Sequence, residues 1–170
     1  INFDTSMLES VYTLDEQMSY YAISDQRLGL LFAEALEKAS NDLENFVDTN
    51  ETIESMENVL FVVFHAGLGQ EASRDFDPTI YDIRSAYIDS EMLSDAQNPE
   101  YWINDKGITN GILMPETLNW IFYDVIEDIF PPTFIASDEL ENLYCEFQFG
   151  MTGLFAHLLG YYFAFPIMSD

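Results

Sequence analysis

The sequence predicts an α/β protein of the α+β kind, a mixed sheet with long helices packed on it. Three stretches carry that expectation. Leu28, Leu31, Phe32, Ala35, Leu36 and Ala39 recur at the three-and-four spacing of a helix that buries one face. Val59-Leu-Phe-Val-Val-Phe-His65 is a continuous β-branched and aromatic run that closes on Ala66-Gly67-Leu68-Gly69. That is the pattern of a central strand covered on both faces and ended by a glycine turn. From Phe147 to Met168 no residue is charged unless His157 is protonated, so this stretch is expected to form the buried spine of the fold.

Taken in order, residues Ile1 to Ala22 read as extended chain anchored by Val11, Tyr12, Leu14, Met18, Tyr20 and Tyr21. Asp25 is the expected N-cap of a helix of about twenty residues, with Glu34, Glu37 and Lys38 on its wet side. Asp42 to Asn58 is an acidic stretch expected to be a solvated loop. Ile80 to Ile88 is a weakly patterned, irregular strand, and Asp89 to Asp105 is a polar loop holding Pro99 and Trp102. Gly107 to Pro115 reads as a further strand that Pro115 ends. Leu118, Ile121, Phe122, Val125, Ile126 and Ile129 fit one helical face stopped by Pro131-Pro132. Ser137 caps a final helix that runs through Leu143 into the uncharged stretch. No internal repeat and no domain boundary is legible, so residues 1–170 are expected to form a single domain.

Composition narrows the function. Hydrophobic residues make up 48% and aromatics 15% of the 170 residues, too many for a disordered chain. Five Lys plus Arg stand against 31 Asp plus Glu, a formal net charge of −26. Phosphate contacts need a basic face, so this balance argues against nucleic-acid binding, and equally against docking on anionic lipid. A solvated acidic surface that keeps an aromatic-rich protein soluble is the plain reading. An acidic mimic of DNA, with carboxylates at phosphate-like spacing, is the sharper alternative. Cys145 is the single cysteine, so no internal disulfide is expected. Beginning at Ile1 suggests a processed or excised piece. The uncharged stretch is long enough to span a bilayer. Gly150, Gly153, Gly160 and Pro166, and the lack of flanking Lys or Arg, favour a packed helix over a membrane span. No Ser-His-Asp arrangement and no phosphate-binding glycine loop is legible.

Two phrases carry chemistry. The first is Leu154-Phe-Ala-His-Leu-Leu-Gly-Tyr-Tyr-Phe-Ala-Phe-Pro166, with Asp170 beyond it. The second lies upstream, His65-Ala-Gly-Leu-Gly-Gln-Glu71 followed by Asp82-Ile-Arg-Ser85. In this order the phrases resemble the immune-inhibitor-A-like family of secreted zinc metallopeptidases. The resemblance implies a zincin-like fold, an N-terminal subdomain plus a metal helix carrying His-Glu-x-Gly-His. His157 then stands at the first ligand position, Gly160 at the Gly, Pro166 at the Pro and Asp170 at the last Asp. Leu158 replaces the catalytic Glu, Tyr161 the second His, Ala164 a Gly, and Ile167 a position where an acid is common.

One ligand is left where a catalytic zinc site needs three, so the resemblance implies a degenerate metal helix and a pseudo-enzyme. No cofactor is expected. His157 is the remaining zinc candidate, and a phenol with a pKa of about 10 makes Tyr161 a costly second ligand. Leu158 accepts no proton, and losing general-base help costs on the order of 10²–10⁴ in rate. An active peptidase of unusual ligation is the alternative. Active relatives often carry an Asp-rich turn, which makes Asp48, Asn50 and Glu54 the calcium candidates. Ile53 and Val59 nevertheless stand where a calcium loop has Gly and a bidentate Glu. His65 is expected to be structural, a strand-end histidine bonded to backbone.

Zincin-type chains continue past the metal helix with a smaller subdomain. Here Tyr162, Phe163, Phe165, Ile167 and Met168 come just before the end at Asp170. Left uncovered they would form a large apolar patch, so a protein partner, another copy, or the remainder of a longer polypeptide is expected there, completing a truncated domain. The expectation is a non-catalytic, extracellular structural or protein-binding module.

Overall fold

The computed structural model describes residues 6–8, 10–49, 59–72, 81–95, 101–103, 106–118, 120–122, 145–147 and 150–165. Their architecture is α+β. Helix α1 is one turn, Met18–Tyr21, and leads into α2, Asp25–Lys38, and α3, Ser40–Thr49. Strand β1, Val62–Leu68, is followed by a 3-10 turn at Gln70–Ala72 and by β2, Ala86–Ile88. Then come α4, Ser90–Asp95, β3, Tyr101–Ile103, β4, Lys106–Ile108, and β5, Gly111–Thr117. Strands β6, Trp120–Phe122, and β7, Cys145–Phe147, pair with one another, and helix α5 spans Met151–Tyr162.

The main sheet of the described residues has the order β1-β5-β2, with β1 parallel and β2 antiparallel to β5. Side chains alternate across a strand, so the sheet has two distinct faces. Val63, Leu113, Ala86 and Ile88 share the face on which α2 packs, with Leu28, Leu31, Phe32 and Leu36 from the helix. Val62, Ile112, Met114 and Tyr87 share the other face, against α5. The sheet is thus covered by helices on both sides.

Two close approaches hold the first layer down. A Cβ on Gly111 would stand 2.1 Å from Cζ of Phe32, and one on Gly29 would stand 2.2 Å from the carbonyl oxygen of Met92 in α4. The sequence marks Phe32 as a core residue, and it is fully buried. The need for glycine at these positions arises only where α2 meets the sheet and α4.

Several expectations change. β1 lies at an edge of the described sheet and leaves Phe64 60% exposed, whereas β5 is buried from Gly111 to Pro115 and is the central strand. Pro115 does not end β5. It pairs in register with His65, and the strand runs on to Thr117. The helix at residue 25 breaks at Ala39 into α2 and α3, and its N-cap is Ser24 rather than Asp25. The acidic stretch is helical through Thr49, because Leu43 and Phe46, three apart, pack into the core. The polar segment after Asp89 contains α4, with Leu93 buried, and β3. Residues 120–122 are strand where a helical face was expected, and β7 separates any preceding segment from α5. Val11, expected as an anchor, is 96% exposed. The expected face from Val125 to Ile129 and the Ser137 cap lie outside the described residues.

Glu34 is also not on the wet side. Its Oε2 accepts from the Tyr21 hydroxyl at 2.5 Å and its Oε1 from the Asp15 backbone N–H at 2.5 Å. Lys38 Nζ donates to Asp15 at 2.7 Å, and Tyr12 hydrogen-bonds Asp42. These contacts bind the N-terminal segment to α2 and α3. Burial, then the Glu34 hydrogen bond, pushes the Tyr21 phenol well above its ordinary pKa.

Candidate functional site: the face of helix α5 and the β1–β5 strand ends

Helix α5 lies on the sheet through Met151, Leu154, Phe155 and Leu158, a stripe at helical spacing packed near Ile112 and Met114. Leu158 alone among the helix residues is fully buried, at 5% exposure. The stretch is therefore a helix lying on a sheet face and not a buried spine. The physical reason is that a helix against one sheet face buries one stripe, however apolar the rest of its surface is. At 12 residues it is also short, and among the described residues no helix is long and apolar enough to cross a membrane.

The residues singled out from the sequence fall into two groups. Leu158 points into the sheet. His157 and Tyr161 lie on the exposed side, one turn apart, their rings edge to face at 5.2 Å between centroids. Tyr161 then stacks on Tyr87 of β2, at 6.0 Å and 13° between planes. Burial, followed by the nearby charges of Asp89 and Tyr162, raises the pKa of the Tyr87 phenol. Nothing in the sequence pattern singles out Tyr87, and only the register of β2 on β5 brings it beneath α5.

The helix ends in a left-handed turn. Ala164 has φ 51°, Phe165 N–H donates to the Gly160 carbonyl at 2.9 Å, and Ala164 N–H donates to that of Tyr161 at 3.0 Å. This is a Schellman cap with alanine where glycine is usual. It turns the chain so that Tyr162 and Phe163 are half-buried and Phe165 is 63% exposed. Ile167, Met168 and Asp170 lie outside the described residues.

The second phrase forms a junction at the carboxyl ends of β1 and β5. The β1–β5 register shifts between His65 and Leu68, and Gly67 takes φ 93°, a value that favours glycine. Beyond it, Gly69 N–H donates to the Thr117 carbonyl and Gln70 N–H to that of Ile83, each at 3.2 Å. Glu71 accepts from the Ser85 N–H at 2.5 Å. The His65-to-Glu71 phrase and the Asp82-to-Ser85 phrase, distant in sequence, are thus tied by one backbone hydrogen bond and one carboxylate. His65 is buried and its Nδ1–H donates to the Ala66 carbonyl at 3.1 Å, the backbone-bonded state expected of it. Among the described residues, its Nε2 and the Ser85 hydroxyl are buried with no partner at full hydrogen-bond geometry. Burial lowers the His65 pKa, opposed by the Ala66 carbonyl, Glu71, the Ile83 carbonyl and Asp82.

Chemically, this part of α5 offers one imidazole and one phenol, the phenol stacked on Tyr87, beside a Leu158 that is turned into the sheet. Among the described residues no group of three His, Cys, Asp or Glu side chains is placed to hold a metal ion. Of the calcium candidates, Asp48 lies within α3, a helical backbone rather than a loop, and Asn50 and Glu54 lie outside the described residues. No family model, no curated protein and no solved structure matches the chain.

Proposed function

We propose that the chain is a non-catalytic, metallopeptidase-like module that binds another protein through the outer side of α5 and the aromatic turn that follows it, in an extracellular setting. One observation supports this most. The helix that should carry the chemistry turns its replaced catalytic position, Leu158, into the sheet and commits Tyr161 to a ring stack on Tyr87. A general base needs a proton-accepting side chain facing the reacting group, and this position has an aliphatic one. Meanwhile Phe165 and Tyr161 leave apolar ring surface in water, the kind of patch that marks a protein contact.

The test combines zinc analysis of the purified chain with a general protein-substrate assay. Substoichiometric zinc and no cleavage are expected, and a His157→Ala variant should keep both the zinc content and the thermal midpoint of the parent. Stoichiometric zinc with cleavage that His157→Ala abolishes would overturn the reading.

A further inference from the structure

His65 is a buried titratable group to which the α5 face gives no role. The charged groups facing its ring are Glu71, in the 3-10 turn, and Asp82, in the segment before β2. The Ala66 and Ile83 carbonyls face it as well. On the β5 side its register partner is Pro115, which has no charge, and the next residue, Glu116, accepts from the Gly67 N–H at 3.4 Å.

With Nδ1–H given to the Ala66 carbonyl, the neutral ring turns a lone pair inward at Nε2. A charged imidazolium has a second N–H there, which must find an acceptor or reach water. Two of the acceptors facing the ring are the same two that tie the junction. The Ile83 carbonyl already accepts from the Gln70 N–H at 3.2 Å, and Glu71 Oε1 from the Ser85 N–H at 2.5 Å. The other Glu71 oxygen is packed so near Gly69 that a Cβ there would stand 2.7 Å from it. A proton on Nε2 thus competes with the bonds that keep the junction closed, and burial disfavours its charge further.

We infer that the junction is an acid-sensitive clasp: with His65 neutral it holds the 3-10 turn against residues 82–85, and with His65 charged it opens and frees the start of β2. Gly67, at φ 93°, and the register shift between His65 and Leu68 put a bend where the turn can part while Val62 to His65 stay paired with β5. β2 carries Tyr87, whose ring lies against Tyr161, so the clasp governs how firmly the strand beneath α5 is held. It does so whether or not the α5 face binds a partner. The closed form binds fewer protons at His65 than the open form, so opening is favoured as pH falls through the ordinary value of 6.5. Between about pH 7.5 and about pH 5.5 the opening constant rises by up to about ten-fold, as for a group that titrates near its ordinary value only when open.

The test is amide hydrogen exchange of the folded chain at those two pH values, corrected for the intrinsic exchange rate and read at Gln70 and Ser85. Protection at both amides is expected to fall by about five- to ten-fold in the parent and to stay within about two-fold in His65→Gln. His157→Gln removes the other of the two histidines and is expected to respond as the parent does. Unchanged protection in the parent, or an equal fall in His65→Gln, would overturn the inference. Dilute urea, applied to the parent alone, separates the clasp from unfolding of the whole chain, because sensitivity to urea scales with the surface exposed. Gln70 and Ser85 are expected to ignore urea that speeds exchange at the buried Leu31 and Phe32 of α2. If all four amides respond together, the junction opens only with the whole fold and there is no clasp.

Discussion

At Ala164 an L-residue stands in the left-handed region, closing α5 with the two hydrogen bonds of a Schellman turn. The Cβ clash of that conformation costs about 1–2 kcal/mol, which glycine does not incur. Ala164→Gly is therefore expected to raise stability by about 1 kcal/mol, after its greater unfolded-state entropy offsets part of the gain. A urea-unfolding midpoint at or below the parent's would show the turn is not strained. His65 makes a second prediction. Burial lowers its pKa from 6.5, so the folded state binds fewer protons than the unfolded one. The stability this group allows is present above the unfolded value and is lost as pH falls below it. Between about pH 7.5 and about pH 5.5 the parent should lose more stability than His65→Gln, the comparison removing the carboxylate titration common to both. Equal losses would mean that His65 takes up no proton on unfolding.

Elements show why some of this is legible in the sequence. The α2 stripe from Leu28 to Ala39 is readable because helical spacing is a local property, and its Leu28, Leu31, Phe32 and Leu36 are buried against the sheet. Glu34 defies that reading, since no periodicity reveals that Tyr21, thirteen positions earlier, folds back to bond it. Glu34→Ala strips a partner from the Tyr21 hydroxyl and releases the Asp15 N–H, and should cost about 1–3 kcal/mol. Chemical denaturation measures it, and a loss below about 0.5 kcal/mol would mean that water replaces these bonds without penalty. Gly111 offers a parallel case. A methyl group there would collide with the Phe32 ring, so Gly111→Ala should cost about 1–3 kcal/mol by overpacking, read from the same denaturation curves. Of the candidate site, His157 and Tyr161 can be placed on one helix from their spacing, but not Tyr87 beneath them. Its partnership depends on strand pairing, which no local pattern encodes.

Over the whole molecule, charge outweighs every other surface property. Thirty-one acids against five bases repel one another in the folded state, and the two described salt bridges, Lys38–Asp15 and Arg84–Asp25, are largely exposed. Salt screens such repulsion within a Debye length of about 10 Å at 0.1 M. The thermal midpoint is therefore expected to climb as sodium chloride is added, and a midpoint indifferent to salt would mean that the carboxylates lie too far apart to interact. Sequence alone determined the α+β class, the buried stripe of α2, the strand run into Gly67 and the acidity, because each follows from neighbouring residues or from composition. Tertiary structure decided the rest. It made β5 rather than β1 the central strand, left α5 lying on one sheet face, and tied the His65 phrase to the Ser85 phrase. Burial and hydrogen-bond partnership are fixed by groups distant along the chain, and a strand or helix does not carry in its own residues the number of faces its neighbours will cover.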